Sequence, residues 1–371
     1  MDDLYIGLMS GTSLDGVDAV LARFTPTLKV HGHVHRPFDA ALRSELLALN
    51  TPGADELHRA ALAGNGLARA YAAAVHELLG VAGVRREQVR AVGAHGQTVR
   101  HRPAPVDGTG YTIQINQPAL LAELTGIDVV ADFRSRDIAA GGQGAPLVPA
   151  FHRAVFGRAG VVLAVVNLGG IANLTVVDAE GRTLGFDTGP ANALLDHWCE
   201  RHTGRPYDAG GRWAAQGRVL APLLASLRQE RYFTEPPPKS TGRDLFHPGW
   251  LQARLAQAGG APPAAEDVQA TLAELTAGTV ADAFRAHAGG ASELLVCGGG
   301  AFNDDLMRRL ASQLPGVAVV PSDARGLPAS QVEACAFAWL AAEHLARRPG
   351  NLAGVTGARG ERVLGALYPS H

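Results

Sequence analysis

The chain has 371 residues, 47% of them hydrophobic, and balances 33 Lys+Arg against 35 Asp+Glu for a net charge of −2. That length supports two sizeable cores, and the balanced charge excludes the broad basic field of a nucleic-acid binder. Three widely spaced cysteines (Cys199, Cys297, Cys335) have neither zinc-ligand nor redox spacing and, being odd in number, imply reduced packing thiols.

The acidic start Met1-Asp2-Asp3 runs straight into an apolar strand, Leu4 to Met9, so no signal peptide is expected. Ser10 to Gly16 is small, polar and glycine-rich, and Val17 to Phe24 resumes strand-like alternation, so a hairpin with an unusually polar tip is predicted. His31, His33 and His35 alternate as on one face of a strand; with no Cys or carboxylate to complete a site, a solvent-facing strand is expected. Helical spacing covers Ala40 to Leu49 and Glu56 to Leu79. Strands follow at Val89 to Ala94, Tyr111 to Ile115 and Asp128 to Ala131, with a helix at Pro118 to Thr125 whose proline suits a first turn.

A second module opens at Val161 to Asn167, a β-branched run of the kind buried on both faces. No apolar stretch here is long enough to span a bilayer. The run ends in Gly169-Gly170 and restarts as Ile171 to Val177, with a third strand at Thr183 to Phe186. Strand, glycine turn, strand thus occurs twice, a weak internal repeat. Later come a helix at Gln269 to His287, a strand at Glu293 to Cys297, the turn Gly298-Gly299-Gly300, a helix from about Asn303 to Leu314, a strand at Val317 to Val320 and a helix at Pro328 to Ala346. Pro236-Pro237-Pro238 marks a rigid loop.

Three glycine turns carry the candidate chemistry. In the first, Gly11, Thr12, Ser13, Leu14, Asp15, Gly16, Val17 and Asp18 supply backbone N–H groups and hydroxyls for phosphates. Asp15 and Asp18 are placed to hold Mg²⁺ through waters. The bland alternative is an ordinary hairpin turn, which needs only about two residues. The second turn offers Asn167, Gly169, Gly170 and Asn173. The third offers Gly298, Gly299, Gly300 and Asn303 between a strand and a helix N-terminus, which suits a nucleotide. Rossmann spacing is absent. Neither Lys29 nor Lys239, the only lysines, sits in a P-loop, so a P-loop kinase is excluded.

Three such turns on two similar lobes resemble the actin, Hsp70 and sugar-kinase superfamily. There they act as phosphate-1, phosphate-2 and adenosine loops. The resemblance implies an α/β, two-lobed actin-like ATPase fold, with mixed sheets, flanking helices and an interdomain cleft. The lobes are expected at 1–131 plus 345–371 and at 132–344. Asn167 departs from the superfamily's usual Asp in the second loop.

The resemblance narrows over blocks spanning nearly the whole chain. These are Met9 to Asp18, Gly93 to His101, Ala131 to Arg134, Gly141 to Leu147, Phe186 to Asn192 and Pro236 to Arg243. Together they resemble the anhydro-N-acetylmuramic acid kinases. That family implies a cytoplasmic, ATP- and Mg²⁺-dependent enzyme of peptidoglycan recycling, with no nucleic-acid or membrane partner and a homodimer plausible. Its reaction opens the 1,6-anhydro ring of 1,6-anhydro-MurNAc with water and phosphorylates O6, giving MurNAc 6-phosphate and ADP.

The resemblance makes Asp187 the base on water; from the residues alone, an Asx-turn or helix N-cap carboxylate is as good a reading. Arg134, as a planar fork, is a candidate for the lactyl carboxylate, against an ion pair with Asp132 or Asp137. Glu333 and His95 are further candidates for sugar contact, against a first-turn helix-dipole residue and a structural histidine. Lys239 reaches the nucleotide or closes the cleft, against the safer reading of an exposed, solvated lysine. The rivals are a kinase of the same fold acting on an ordinary hydroxyl sugar and a non-catalytic nucleotide-dependent sugar sensor.

Overall fold

The computed structural model describes residues 3–11, 13–104, 108–242, 245–258 and 262–371. In chain order the strands are β1 (Leu4–Met9), β2 (Gly16–Arg23), β3 (Lys29–Pro37), β4 (Val89–Ala94), β5 (Gln97–Arg102), β6 (Tyr111–Ile115), β7 (Val129–Ala131), β8 (Leu163–Leu168), β9 (Ile171–Val177), β10 (Thr183–Pro190), β11 (Glu293–Cys297), β12 (Ala318–Pro321) and β13 (Ala366–Tyr368).

One sheet has the order β13-β7-β4-β1-β2-β3 and another β10-β9-β8-β11-β12. In each, three consecutive strands pair antiparallel and two later strands add parallel to the first of them. The shared wiring is a duplicated layout, as the paired strand–turn–strand pattern predicted. β5 and β6 form a separate two-stranded ribbon.

The chain divides into two compact units, 1–155 with 331–371, and 156–330. The first unit reaches past the expected limits at 131 and 345. Its extra helix, Val332–Leu345, lies directly on β1 and β4 because glycines there remove the side chains in its way. A Cβ on Gly7 would stand 1.8 Å from the Ala334 carbonyl oxygen, and one on Gly93 2.0 Å from that of Phe337. Strand alternation then builds a core on each face. Ile6, Leu8, Val17, Ala19 and Leu21 pack with Leu67, Tyr71, Val75 and Leu78 of helix Glu56–Ala82. Tyr5 joins Phe337, Leu340 and Ala341 on the other side. The helix expected from Pro328 begins at Val332, because the preceding residues are held as a turn. There the Asp323 carboxylate accepts from Ala329 N, and the Ala329 carbonyl accepts from Gly298 N.

In the second unit, helix Ala265–His287 buries Val268, Leu272 and Leu275 against Leu194, Trp198, Leu227, Tyr232 and Trp250. The indole N–H of Trp198 donates to the Ala265 carbonyl at 2.8 Å. All three cysteines are free and buried. Among the described residues no helix is long and apolar enough to cross a membrane.

Candidate active site

The Ser10–Gly16 segment links β1 to β2 and is anchored from below. Leu14 takes a left-handed φ of 57°, which a non-glycine residue adopts only when held. Its side chain is the plug: it is buried with Leu46, Leu49, Val99 and Ile115. Its backbone N–H donates to Gly11 O, and its carbonyl accepts from Arg43 Nε. Val17 is likewise core. Gly16 lacks a side chain because a Cβ there would stand 2.3 Å from Arg36 O on β3. Gly11 and Ser13 occupy the tip beside them, and Thr12 lies outside the described residues.

The two aspartates of this loop differ. Asp15 is exposed and accepts from the Ser13 hydroxyl at 2.7 Å. Asp18 Oδ1 meets His33 Nε2 at 3.0 Å and His35 Nδ1 at 3.2 Å. Burial raises the Asp18 pKa, but the hydrogen bonds from the two imidazoles outweigh it and hold the carboxyl below its usual range. A carboxylate therefore does join the histidine-bearing face of β3. Even so, among the described residues no three His, Cys, Asp or Glu side chains gather to hold a metal. The donor set fits a hydrated Mg²⁺ brought in with a nucleotide, with Asp15 the better placed oxygen donor.

Beneath the loop lies the turn after β4. Ser10 Oγ donates to Gly96 O and pairs with the Tyr71 hydroxyl at 2.9 Å, while Gln97 Nε2 donates to Gly11 O. His95 is buried against Phe337, ring centroids 4.6 Å apart. Arg134 donates to His95 Nε2 from Nε and Nη2, and from Nη1 to the Gly144 carbonyl at 2.8 Å. Burial, then the adjacent guanidinium, pushes the His95 pKa well below 6.5, so the ring is neutral. Its Nδ1 edge faces the Ser10 and Gly96 backbone without a well-formed hydrogen bond. The fork of Arg134, expected to meet a carboxylate, is thus engaged with an imidazole. Asp132 instead accepts from Ser135, and Asp137 from Gly144, Asn351 and Thr356. Glu333 sits in the first turn of helix Val332–Leu345.

In the second unit the pairing register brings the other predicted residues into one row. Asp187 stands opposite Asn173, Asn173 opposite Asn167, and Asn167 opposite Cys297, so polar side chains cross β10, β9 and β8 on one face. Gly298 has φ 80°, and a Cβ there would stand 2.3 Å from Asn167 Oδ1; one on Gly300 would stand 2.5 Å from Leu168 Cβ. The third glycine turn therefore lies directly against the end of β8, next to Gly169 and Gly170. The carbonyls of Gly169 and Gly170 accept from the backbone N–H groups of residues 191–193. Asn303 caps helix Asp304–Gln313, its side chain accepting from Leu306 N. Gly299 opens the short turn before that cap.

Asp187 lies inside β10, is 7% exposed, and accepts at Oδ2 from the backbone N–H of Thr241 at 2.9 Å. This partner is remote in sequence, and the helix after β10 is preceded by Ala191, so the local N-cap reading of Asp187 fails. The Asp187 carbonyl accepts from the Tyr232 hydroxyl, and its N–H donates to Lys239 O. Lys239 is buried, not solvated. Its ammonium donates to Tyr232 O at 2.9 Å and sits 4.7 Å from the Tyr232 ring centroid, and burial lowers its pKa. The neighbours Phe186 and Thr188 line a separate pocket of about 270 Å³ with Phe233, Lys239 and His287. Sequence reasoning missed Thr241, Tyr232, Gln97 and Asp137. Their contacts join segments 45 or more residues apart, those of Asp137 to Asn351 and Thr356 included; its bond to Gly144 is local, and Gly142 and Gly144 were the available signal.

The family model described as anhydro-N-acetylmuramic acid kinase matches residues 3–370. The anhydro-N-acetylmuramic acid kinase of Variovorax paradoxus is 63% identical over 374 residues, 99% of either chain. That of Bordetella pertussis is 61% identical over 369 residues, 99% of this chain and 96% of the relative. A solved structure, the activator of 2-hydroxyisocaproyl-CoA dehydratase from Clostridium difficile with bound ADPNP, aligns over 90% of this chain and 92% of its own. Its TM-score is 0.45 at 12% identity, too distant to bear on chemistry. A match of this length and identity, on a chain with the expected fold, places the protein in the anhydro-N-acetylmuramic acid kinase family.

Proposed function

We propose that this chain is a cytoplasmic ATP-dependent kinase of 1,6-anhydro-N-acetylmuramic acid. It opens the anhydro bridge with water and phosphorylates O6. The observation that carries the reading is Asp187, a buried carboxylate held by a backbone N–H and aligned in register with the asparagines of the second glycine tip. A base on water needs a fixed position more than a matched charge partner.

Asp187 accepts a proton from water, and the water oxygen bonds to C1 as the C1–O6 bond breaks. O6 bonds to the γ-phosphorus of ATP, the bond to the β-phosphate oxygen breaks, and ADP leaves. The proton on Asp187 passes to solvent. No separate acid is needed for O6, because its developing charge is taken up by the phosphoryl group. The glycine turns at Ser10–Gly16 and Gly169–Asn173 each offer backbone N–H groups to phosphate oxygens. Gly298–Gly300 and Asn303 are assigned to the nucleoside. His95, a neutral imidazole, and Glu333 are assigned to the sugar. Mg²⁺, when bound, neutralises charge on the β- and γ-phosphates, with Asp15 and Asp18 holding its water shell.

The test is ADP release with and without 1,6-anhydro-MurNAc, repeated in ¹⁸O-water. Label at C1 of the sugar phosphate is expected. ADP release that needs only an ordinary hydroxyl sugar, with no label at C1, would overturn the reading.

A further inference from the structure

Asp137 is a carboxylate with 0% exposure in the short helix Ser135–Ala139. Its Oδ2 accepts from Gly144 N at 2.7 Å, and its Oδ1 from Asn351 Nδ2 at 2.6 Å and Thr356 Oγ1 at 2.7 Å. The loop is wrapped around it: a Cβ on Gly142 would stand 2.2 Å from Asp137 Oδ2, and Gly144 has φ 68°. Gly144, so fixed, turns its carbonyl to Arg134 Nη1, and Arg134 in turn grips His95 Nε2. His95 faces the base of the Ser10 loop.

We propose that Asp137 is a positioning residue: through Gly144 and Arg134 it fixes the tautomer and orientation of the His95 imidazole. The inference rests on the reading of His95 as a sugar contact. With Nε2 accepting from a guanidinium, the ring hydrogen is confined to Nδ1. Asp137→Asn turns one acceptor oxygen into a donor facing N–H groups, so the Gly144 loop must shift and Arg134 loses its support. A displacement of well under an ångström in such a supporting shell is enough to weaken a site.

The experiment compares wild type, Asp137→Asn and the milder Thr356→Val. It measures the KM for 1,6-anhydro-MurNAc and for ATP, and the ¹⁵N shifts of histidine-labelled enzyme. The expected result for Asp137→Asn is a sugar KM raised about tenfold, an ATP KM changed less than about twofold, and a His95 Nε2 resonance moved toward that of an unbonded nitrogen. Thr356→Val moves both readouts the same way by less. A purely structural role predicts a lower melting temperature with both KM values and the His95 resonance unchanged in the folded fraction; that outcome overturns the proposal. If Asp137→Asn does not fold, an unshifted His95 resonance in Thr356→Val overturns it. Wild type lacking sugar-dependent ADP release refutes the functional reading instead, and the His95 resonance still decides the role of Asp137.

Discussion

Arg134 meets His95 with two N–H groups on one acceptor, Nε at 3.2 Å and Nη2 at 2.9 Å from Nε2. A guanidinium gives this planar two-point contact and, at the same time, a third bond to Gly144 O. Lysine cannot. Arg134→Lys keeps a cation but drops the fork, so the imidazole is free to rotate. The expected outcome is a sugar KM raised roughly tenfold with little change in melting temperature. Steady-state kinetics with thermal melting checks it, and an unchanged sugar KM would count against the assigned role of His95.

Asp187→Asn leaves a carbonyl to accept from Thr241 N–H but removes the basic oxygen. Sugar-dependent ADP release should fall by about 10³ or more, the share general-base catalysis supplies, while circular dichroism stays that of wild type. Activity within about tenfold of wild type would mean that another group takes the proton from water.

The sheets were legible in the sequence because their signal is local. β8 reads as a continuous apolar run, and β1 and β2 flank a polar tip, so period and glycine placement alone locate the glycine turns. What was not legible was what each side chain of those turns is for. Leu14, Val17 and Gly16 fall within the first phosphate motif, yet the first two are core and the third makes room for β3. The helical stretch from 192 to 258 also escaped, since its helices Asn192–Thr203, Ala221–Arg228 and Pro248–Ala258 are short and take their order from packing on helix Ala265–His287. Lys239 read as solvated because its partners, the Tyr232 carbonyl and ring, come from a loop whose shape no local pattern encodes.

Chelation should separate substrate from metal. Asp15 is an exposed carboxylate, and no three-ligand cage exists among the described residues, so any Mg²⁺ is held with ATP and exchanges readily. Excess EDTA should abolish ADP release at once, and added Mg²⁺ should restore it fully without a refolding lag. Activity that survives EDTA would remove the assignment of Asp15 and Asp18.

Two glycines predict opposite signs for the same substitution. Gly7→Ala drives a Cβ into the Ala334 carbonyl at 1.8 Å and the Ala338 nitrogen at 2.7 Å, both backbone atoms of a buried helix. Helix and sheet must separate, and a loss of at least about 3 kcal/mol or a failure to fold is expected. Gly80 is exposed within helix Glu56–Ala82, and a Cβ there meets nothing within 4 Å. Gly80→Ala should gain about 0.5–1 kcal/mol through helix propensity and reduced freedom of the unfolded chain. Urea unfolding of both variants checks the pair.

Acid should destabilise the protein through His152, which is fully buried in helix Val148–Phe156. Burial lowers its pKa to about 3. In the unfolded chain the same ring takes up a proton as pH falls through about 6.5. Between those two values the unfolded state binds the extra proton, so stability is fully present above about pH 6.5 and declines below it, by about 1.4 kcal/mol per pH unit. His95, also buried and neutral, acts in the same direction. Whatever His152→Leu does to absolute stability, it removes one of these titrations. The drop in unfolding free energy between pH 7 and pH 5 should therefore shrink by about 2 kcal/mol relative to wild type. Urea titrations at the two pH values measure that difference directly, and an unchanged drop would show that His152 is protonated in the folded protein well above pH 3.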